Sequence, residues 1–337
     1  MTFDKKLTVS ASPHLRNGVT TTGIMLDVII ALFPASAAAV ILFGYRTLAV
    51  MAVTIASALL SEYITVKILK KPGTLSDLSA VVTGLILALN LPASIPLWMA
   101  AIGSVVAIVV VKQFFGGLGQ NYVNPALMGR IVLFVSFPAA MSKWTNALAQ
   151  GGVEAVTTAT PLALLKDLGA GNSVSELAAI GSLPGLWQMF CGVRPGSMGE
   201  VCIAALLFGG LYLLVRKVIS PAIPFAYIGT VALIMLIAGK GDLNFLAYEI
   251  MGGGLILGAF FMATDYATSP ANTKGRIIFG IGCGIITSVI RLFANMPEGV
   301  SFSILLMNIL VPHIERITAV KPFGTLKEPK KKKGEAK

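Results

Sequence analysis

Thr157-Thr158-Ala159-Thr160-Pro161 gathers three hydroxyls inside the one long polar stretch of an otherwise apolar chain. A hydroxyl at a membrane surface can carry a covalent prosthetic group. The same residues also read as a helix start, with Thr160 as cap and Pro161 in the first turn. Both readings stand on these residues alone.

Two further stretches carry possible chemistry. Phe114-Phe115-Gly116-Gly117-Leu118-Gly119-Gln120-Asn121-Tyr122-Val123-Asn124-Pro125-Ala126 is a glycine turn running into a helix capped by Asn124. It is either a tight re-entry or a turn whose backbone approaches a flat ligand, which glycine permits. Met262-Ala263-Thr264-Asp265-Tyr266-Ala267-Thr268-Ser269-Pro270 ends an apolar run with a carboxylate and several hydroxyls. It is either a solvated helix end or a polar contact to a cofactor or cation. No β-α-β pattern surrounds either glycine run, so neither is a dinucleotide or phosphate loop. Ionisable residues within or beside apolar runs are functional candidates by default. They are Asp27, Glu62, Lys112, Arg130, Glu249 and Asp265. Asp27 and Asp265 are the candidates for a cation or proton pathway. Glu62 and Glu249 read equally as interfacial residues near helix ends, and Arg130 as a partner for an acid, a cofactor ring or a phosphate.

The elements that position these residues are membrane helices. Of 337 residues, 55% are apolar and 12% charged, against about a quarter charged in soluble domains. Thirty-five glycines suit closely packed membrane helices. The first 22 residues are polar and basic, so no cleavable signal is expected. Cys191, Cys202 and Cys283 share no C-x-x-C spacing, which argues against a protein-held Fe–S cluster or a metal site. Cys191 and Cys202 either pair outside the membrane or fill small apolar spaces.

About ten spans are expected, near 23–43, 47–68, 78–91, 97–115, 124–140, 200–218, 222–238, 247–263, 275–292 and 301–317. The third is short and ends in Asn90-Leu91-Pro92, so it reads as a broken or half-crossing helix. Lysines and arginines at 5, 6, 16, 67, 70, 71, 112, 216, 217, 274, 276 and 330–333 fall on one face if ten spans alternate. Both termini are then cytoplasmic in a multi-pass protein of the cytoplasmic membrane, and the loop bearing Thr160 lies outside. Nucleic-acid binding is not expected, because no aromatic-basic module accompanies the basic tail.

A weak internal repeat accompanies this order. Gly84 to Asn90 is followed by Pro96, and Gly258 to Asp265 by Pro270, each proline twelve residues after its glycine. Lys112 then matches Arg291, and Asn124 matches Asn308. Five spans per half would make the halves inverted, with a site at their interface. The divisions expected are a cytoplasmic segment 1–22, a first repeat 23–140, an extracytoplasmic loop 141–199, a second repeat 200–320 and a basic tail 321–337.

Ser12-Pro13-His14, the G-G-x-G-x-N-x-x-N-P-A run, Ala159-Thr160-Pro161 and Ala-Thr-Asp-Tyr-Ala-Thr-Ser-Pro occur together. In this the chain resembles the family of the D subunit of the Rnf electron-transport complex and, more distantly, the B subunit of the sodium-pumping NADH:quinone reductase. The resemblance covers about residues 10–320. It implies an all-α polytopic fold of about ten helices in two inverted five-helix repeats, similar to urea-channel architecture. It implies covalent FMN esterified through its phosphate to Thr160, the acceptor of a D-g-x-[ST]-[SG]-A-T motif. Here Glu154 replaces Asp and Thr158 stands where Ser or Gly is usual. It also implies a non-covalent riboflavin in at least some members.

Joined to the residue reading, the resemblance makes Thr157 and Ala159 neighbours of the covalent flavin. Asn90, Gly116, Gly117, Asn121, Asn124 and Asp265 become candidates for the second. The function it implies is a flavoprotein subunit of an ion-translocating ferredoxin:NAD oxidoreductase, inactive alone. Its partners would be membrane and peripheral subunits carrying flavin and Fe–S centres, with Na⁺ or H⁺ as the transported ion. The competing readings are a urea-channel-like solute channel or transporter, and a scaffold without flavin.

Overall fold

The computed structural model describes residues 18–71, 73–147, 160–166, 183–294 and 299–319. The described elements are helices: α1 (Thr21–Phe43), α2 (Tyr45–Ile68), α3 (Ser79–Leu89), α4 (Leu97–Gln113), α5 (Pro125–Ser136), α6 (Pro138–Met141), α7 (Pro161–Lys166), α8 (Leu186–Cys191), α9 (Ile203–Val215), α10 (Ala222–Ala238), α11 (Leu243–Met251), α12 (Leu255–Met262), α13 (Thr273–Phe293) and α14 (Val300–Thr318). No strand occurs among the described residues. Four helices, α1, α2, α13 and α14, are long and apolar enough to cross a membrane, and α11 with α12 forms a fifth candidate if the bent pair is one span. The chain is therefore a helical, polytopic membrane protein.

Local chemistry sets the helix ends. Thr20 caps α1 by accepting from Gly23 N (3.1 Å). Gly44, at φ +82°, both ends α1 and begins α2, so one residue turns the chain. Asn124 caps α5 with Pro125 at the first helical position, as the sequence suggests.

Packing brings distant parts of the chain together. α1 runs along α9, α2 packs on α3 and α4, and α10 packs on α13. Small residues allow this closeness, because little hydrophobic drive separates a helix partner from lipid. A Cβ at Gly209 would stand 2.0 Å from the Ala31 carbonyl oxygen, so α9 tolerates no side chain there.

Two expectations need correction. The segment 247–263 is not one continuous helix. It breaks at Gly252–Gly254 and bends by 59° between α11 and α12. Gly253 (φ +61°) and Gly254 (φ +68°) take left-handed conformations there. Glu62 and Glu249 are not solvated helix-end charges: they are 0% and 5% exposed. Each is tolerated because it meets a cation far away in sequence, Lys112 for Glu62 (2.8 Å) and Arg291 for Glu249 (3.0 Å). The short third helix appears as expected. α3 has 11 residues, about 16 Å at the α-helical rise, half of what a bilayer core requires. Cys191, Cys202 and Cys283 are free thiols.

Candidate functional site

Four of the sequence candidates, Thr160, Asn121, Asn124 and Asp265, line two separate cavities. The first surrounds Thr160. Thr160 precedes α7, and its Oγ1 accepts from Ala163 N (3.3 Å). The residue is 6% exposed. The capping role is therefore real, and it leaves the hydroxyl facing protein. Thr160, Pro161 and Leu162 line a small cavity of about 10 Å³ with Arg194, Pro195, Glu200, Gly252 and Gly253. Arg194 is 4% exposed and is held by a hydrogen bond to the Glu200 carbonyl (2.7 Å). Glu200 accepts from Ser197 N (3.1 Å). Gly252 and Gly253 form the α11–α12 break, and Arg291 donates to the Gly252 carbonyl (3.0 Å) from behind it. Arg194, Glu200 and the glycine break are members of this site that linear reading missed. A Gly-Gly-Gly run inside an apolar segment was the available signal. Thr157 and Ala159 lie outside the described residues, as do residues 1–17, 167–182 and the tail from 320.

The second place is a larger cavity of about 90 Å³. Its wall combines Ile24, Met25, Val28, Phe260 and Phe261 with polar Asn121, Asn124, Thr264 and Asp265. Asn121 is 8% exposed, and its Oδ1 is buried without a hydrogen-bond partner among the described residues. A buried acceptor left unmatched is costly, so this atom calls for a donor, from a water or a bound molecule. Asp265 lies beyond the end of α12 and accepts from the Thr268 hydroxyl (3.1 Å). Burial raises its carboxyl above the ordinary carboxylate range, and hydrogen bonds from Thr268, Ala267 N and Tyr266 N oppose that rise. Two π-helical segments border the cavity, Val106–Gln113 at the end of α4 and Gly258–Met262 in α12. Such windings are frequent at functional sites.

Gly116 and Gly117 do not line this cavity; Leu118 and Asn121 represent their turn. Their backbone torsions, +127° and +110°, account for glycine. A Cβ on Gly116 would also strike the Gln120 side chain at 1.7 Å. Asn90 lies deeper. It donates to Met262 Sδ (3.3 Å) and accepts from Arg130 (3.2 Å), which also donates to Ser301 (2.7 Å). Asn124 donates to the Met262 carbonyl (3.2 Å) while capping α5. Asn308, with its amide oriented to satisfy both ends, accepts from Asn124 N (3.1 Å). The interrupted segments after α3 and α12 therefore meet in one polar knot. Asp27 stands apart. It accepts from Tyr212 (2.9 Å) and pairs with Arg216 (3.2 Å), tying α1 to α9.

Comparison with known proteins adds an independent finding. Residues 8–324 match the NQR2, RnfD, RnfE family. The chain is 48% identical to the D subunit of the Na(+)-translocating ferredoxin:NAD(+) oxidoreductase complex of Acetobacterium woodii, over 97% of this chain and 98% of that one. It is 45% identical to the D subunit of the proton-translocating ferredoxin:NAD(+) oxidoreductase complex of Clostridium ljungdahlii, over 94% and 96%. It is 34% identical to the D subunit of an ion-translocating oxidoreductase complex of Escherichia coli, over 94% and 98%.

Proposed function

We propose, from the premise that this chain belongs to the NQR2, RnfD, RnfE family, that it is the D-type membrane subunit of an ion-translocating ferredoxin:NAD oxidoreductase complex. The observation that carries this reading is near-full-length identity of 48% and 45% to two such subunits. In this reading the fold is ten spans in two inverted halves, with both termini cytoplasmic and the Thr160 loop outside. Meeting of the interrupted segments at Asn90, Met262 and Asn124 supports it. Ferredoxin and NAD sites belong to partner subunits that carry flavin and Fe–S centres. One relative is named for Na⁺ and another for protons, so the transported ion is left as Na⁺ or H⁺.

Thr160 carries FMN through its phosphate. The cavity beside it, about 10 Å³, has room for about one water, so the group attached at Thr160 would extend outside it. Arg194 holds the phosphate charge, because a guanidinium pairs well with phosphate oxygens. Bound there, FMN supplies exchange of one or two electrons. The protein's share is position: Thr160 fixes the attachment, α7 docks it, and the glycine break gives α7 room. A second, non-covalent flavin of the riboflavin type occupies the larger cavity. Asn121 Oδ1 would offer such a molecule an acceptor, and Asn124 and Asp265 would complete the polar wall.

In-gel fluorescence tests the covalent site. The denatured protein fluoresces under ultraviolet light, and Thr160→Ala abolishes the signal. A flavin-bearing peptide that maps to Thr157 or Thr158 removes the assignment.

A further inference from the structure

Lys112 faces the larger cavity, yet its charge is already matched. The residue is 1% exposed. Its Nζ donates to both Glu62 oxygens (2.8 and 3.0 Å) and to Ser79 Oγ (2.5 Å), so its three protons are engaged. Glu62 also accepts from the Thr74 hydroxyl (2.7 Å) and the Gln113 amide (3.0 Å). The other ionisable side chains on the cavity wall are the Asp265 carboxyl and the Tyr266 phenol. Among the lining residues, then, a phosphate would meet no unmatched cation and one acid. A neutral ring would meet amides, hydroxyls and apolar carbon.

We propose that Glu62 determines the specificity of this cavity. By neutralising Lys112 it admits an uncharged, phosphate-free flavin and turns away its phosphate ester. This rests on the second-flavin reading above. A charge buried at low dielectric is felt strongly at contact distance, so unmatched Lys112 would reverse the preference. A pair that served only to tie α2 to α4 would leave it unchanged.

The assembled complex carrying Thr160→Ala, which lacks covalent flavin, is stripped of loosely held flavin. It is then titrated separately with riboflavin and with FMN, following flavin fluorescence. With Glu62 intact, riboflavin binds at least about tenfold more tightly, roughly 1.4 kcal/mol. Glu62→Gln moves the ratio toward FMN by at least about tenfold. Thr83→Lys places an unmatched ammonium on the same wall and leaves the pair intact. It raises FMN affinity likewise, and it decides the matter if Glu62→Gln does not assemble. Equal binding of the two flavins with Glu62 intact overturns the proposal, as does an unchanged ratio in the assembling variant. If neither flavin binds the intact cavity, the second-flavin reading falls and this proposal falls with it.

Discussion

Arg291 shows how one residue can serve two distant parts of the chain. Its guanidinium is almost fully buried and pairs with Glu249 (3.0 Å). It also donates to the Glu249 and Gly252 carbonyls. Removing one member of a buried pair strands the other charge, so Arg291→Met should destabilise the fold by about 3 to 5 kcal/mol. The double variant Glu249→Leu, Arg291→Met should recover part of that loss. The remainder reflects the Gly252 carbonyl left without its donor, about 1 to 3 kcal/mol. Thermal unfolding in detergent measures both, and a full recovery would deny the arginine its role in bracing the break. Linear reading could not assign these charges. Glu249 and Arg291 stand 42 residues apart and Glu62 and Lys112 stand 50 apart, so each looks solitary near a helix end.

At the scale of elements, the break between α11 and α12 seats α7. A Cβ at Gly253 would stand 2.4 Å from Leu162 Cδ1 and 2.9 Å from Arg291 Nη2. Gly253→Ala would also hold a left-handed torsion at about 1 to 2 kcal/mol. The expected result is that Leu162 gives way and α7 loosens. Amide hydrogen exchange over residues 160–166 should then quicken by about tenfold, as a loss of roughly 1.4 kcal/mol of local protection requires. Unchanged exchange would mean that α7 does not depend on the break. Periodicity and hydropathy revealed the apolar run that holds α11 and α12. They missed the bend because Gly252, Gly253 and Gly254 lower neither the apolar count nor the apparent length of the run. The broken α3 was legible, because Pro92 and Asn90 interrupt it chemically.

For the whole molecule, the lysine and arginine bias predicts orientation in the membrane. In a cysteine-free variant, Gln150→Cys should react with an impermeant maleimide from outside, and Gln120→Cys only after the membrane is opened. Labelling of position 150 from the cytoplasmic side would reverse the topology and put Thr160 on the other face. The sequence by itself determined the helical membrane class and the family, and it singled out Thr160 as a candidate. Each of these depends on composition or on residues adjacent in the chain. Only the tertiary structure decided which charges neutralise one another, where α11 parts from α12 and which residues share a cavity. It joined Asn121 to Asp265 in one wall and left Gly116 and Gly117 outside it. It set Arg194 and Gly253 against Thr160. Those relations follow from close packing, which brings together side chains separated by many tens of residues according to shape and matched polarity, and neither quantity has a period along the chain.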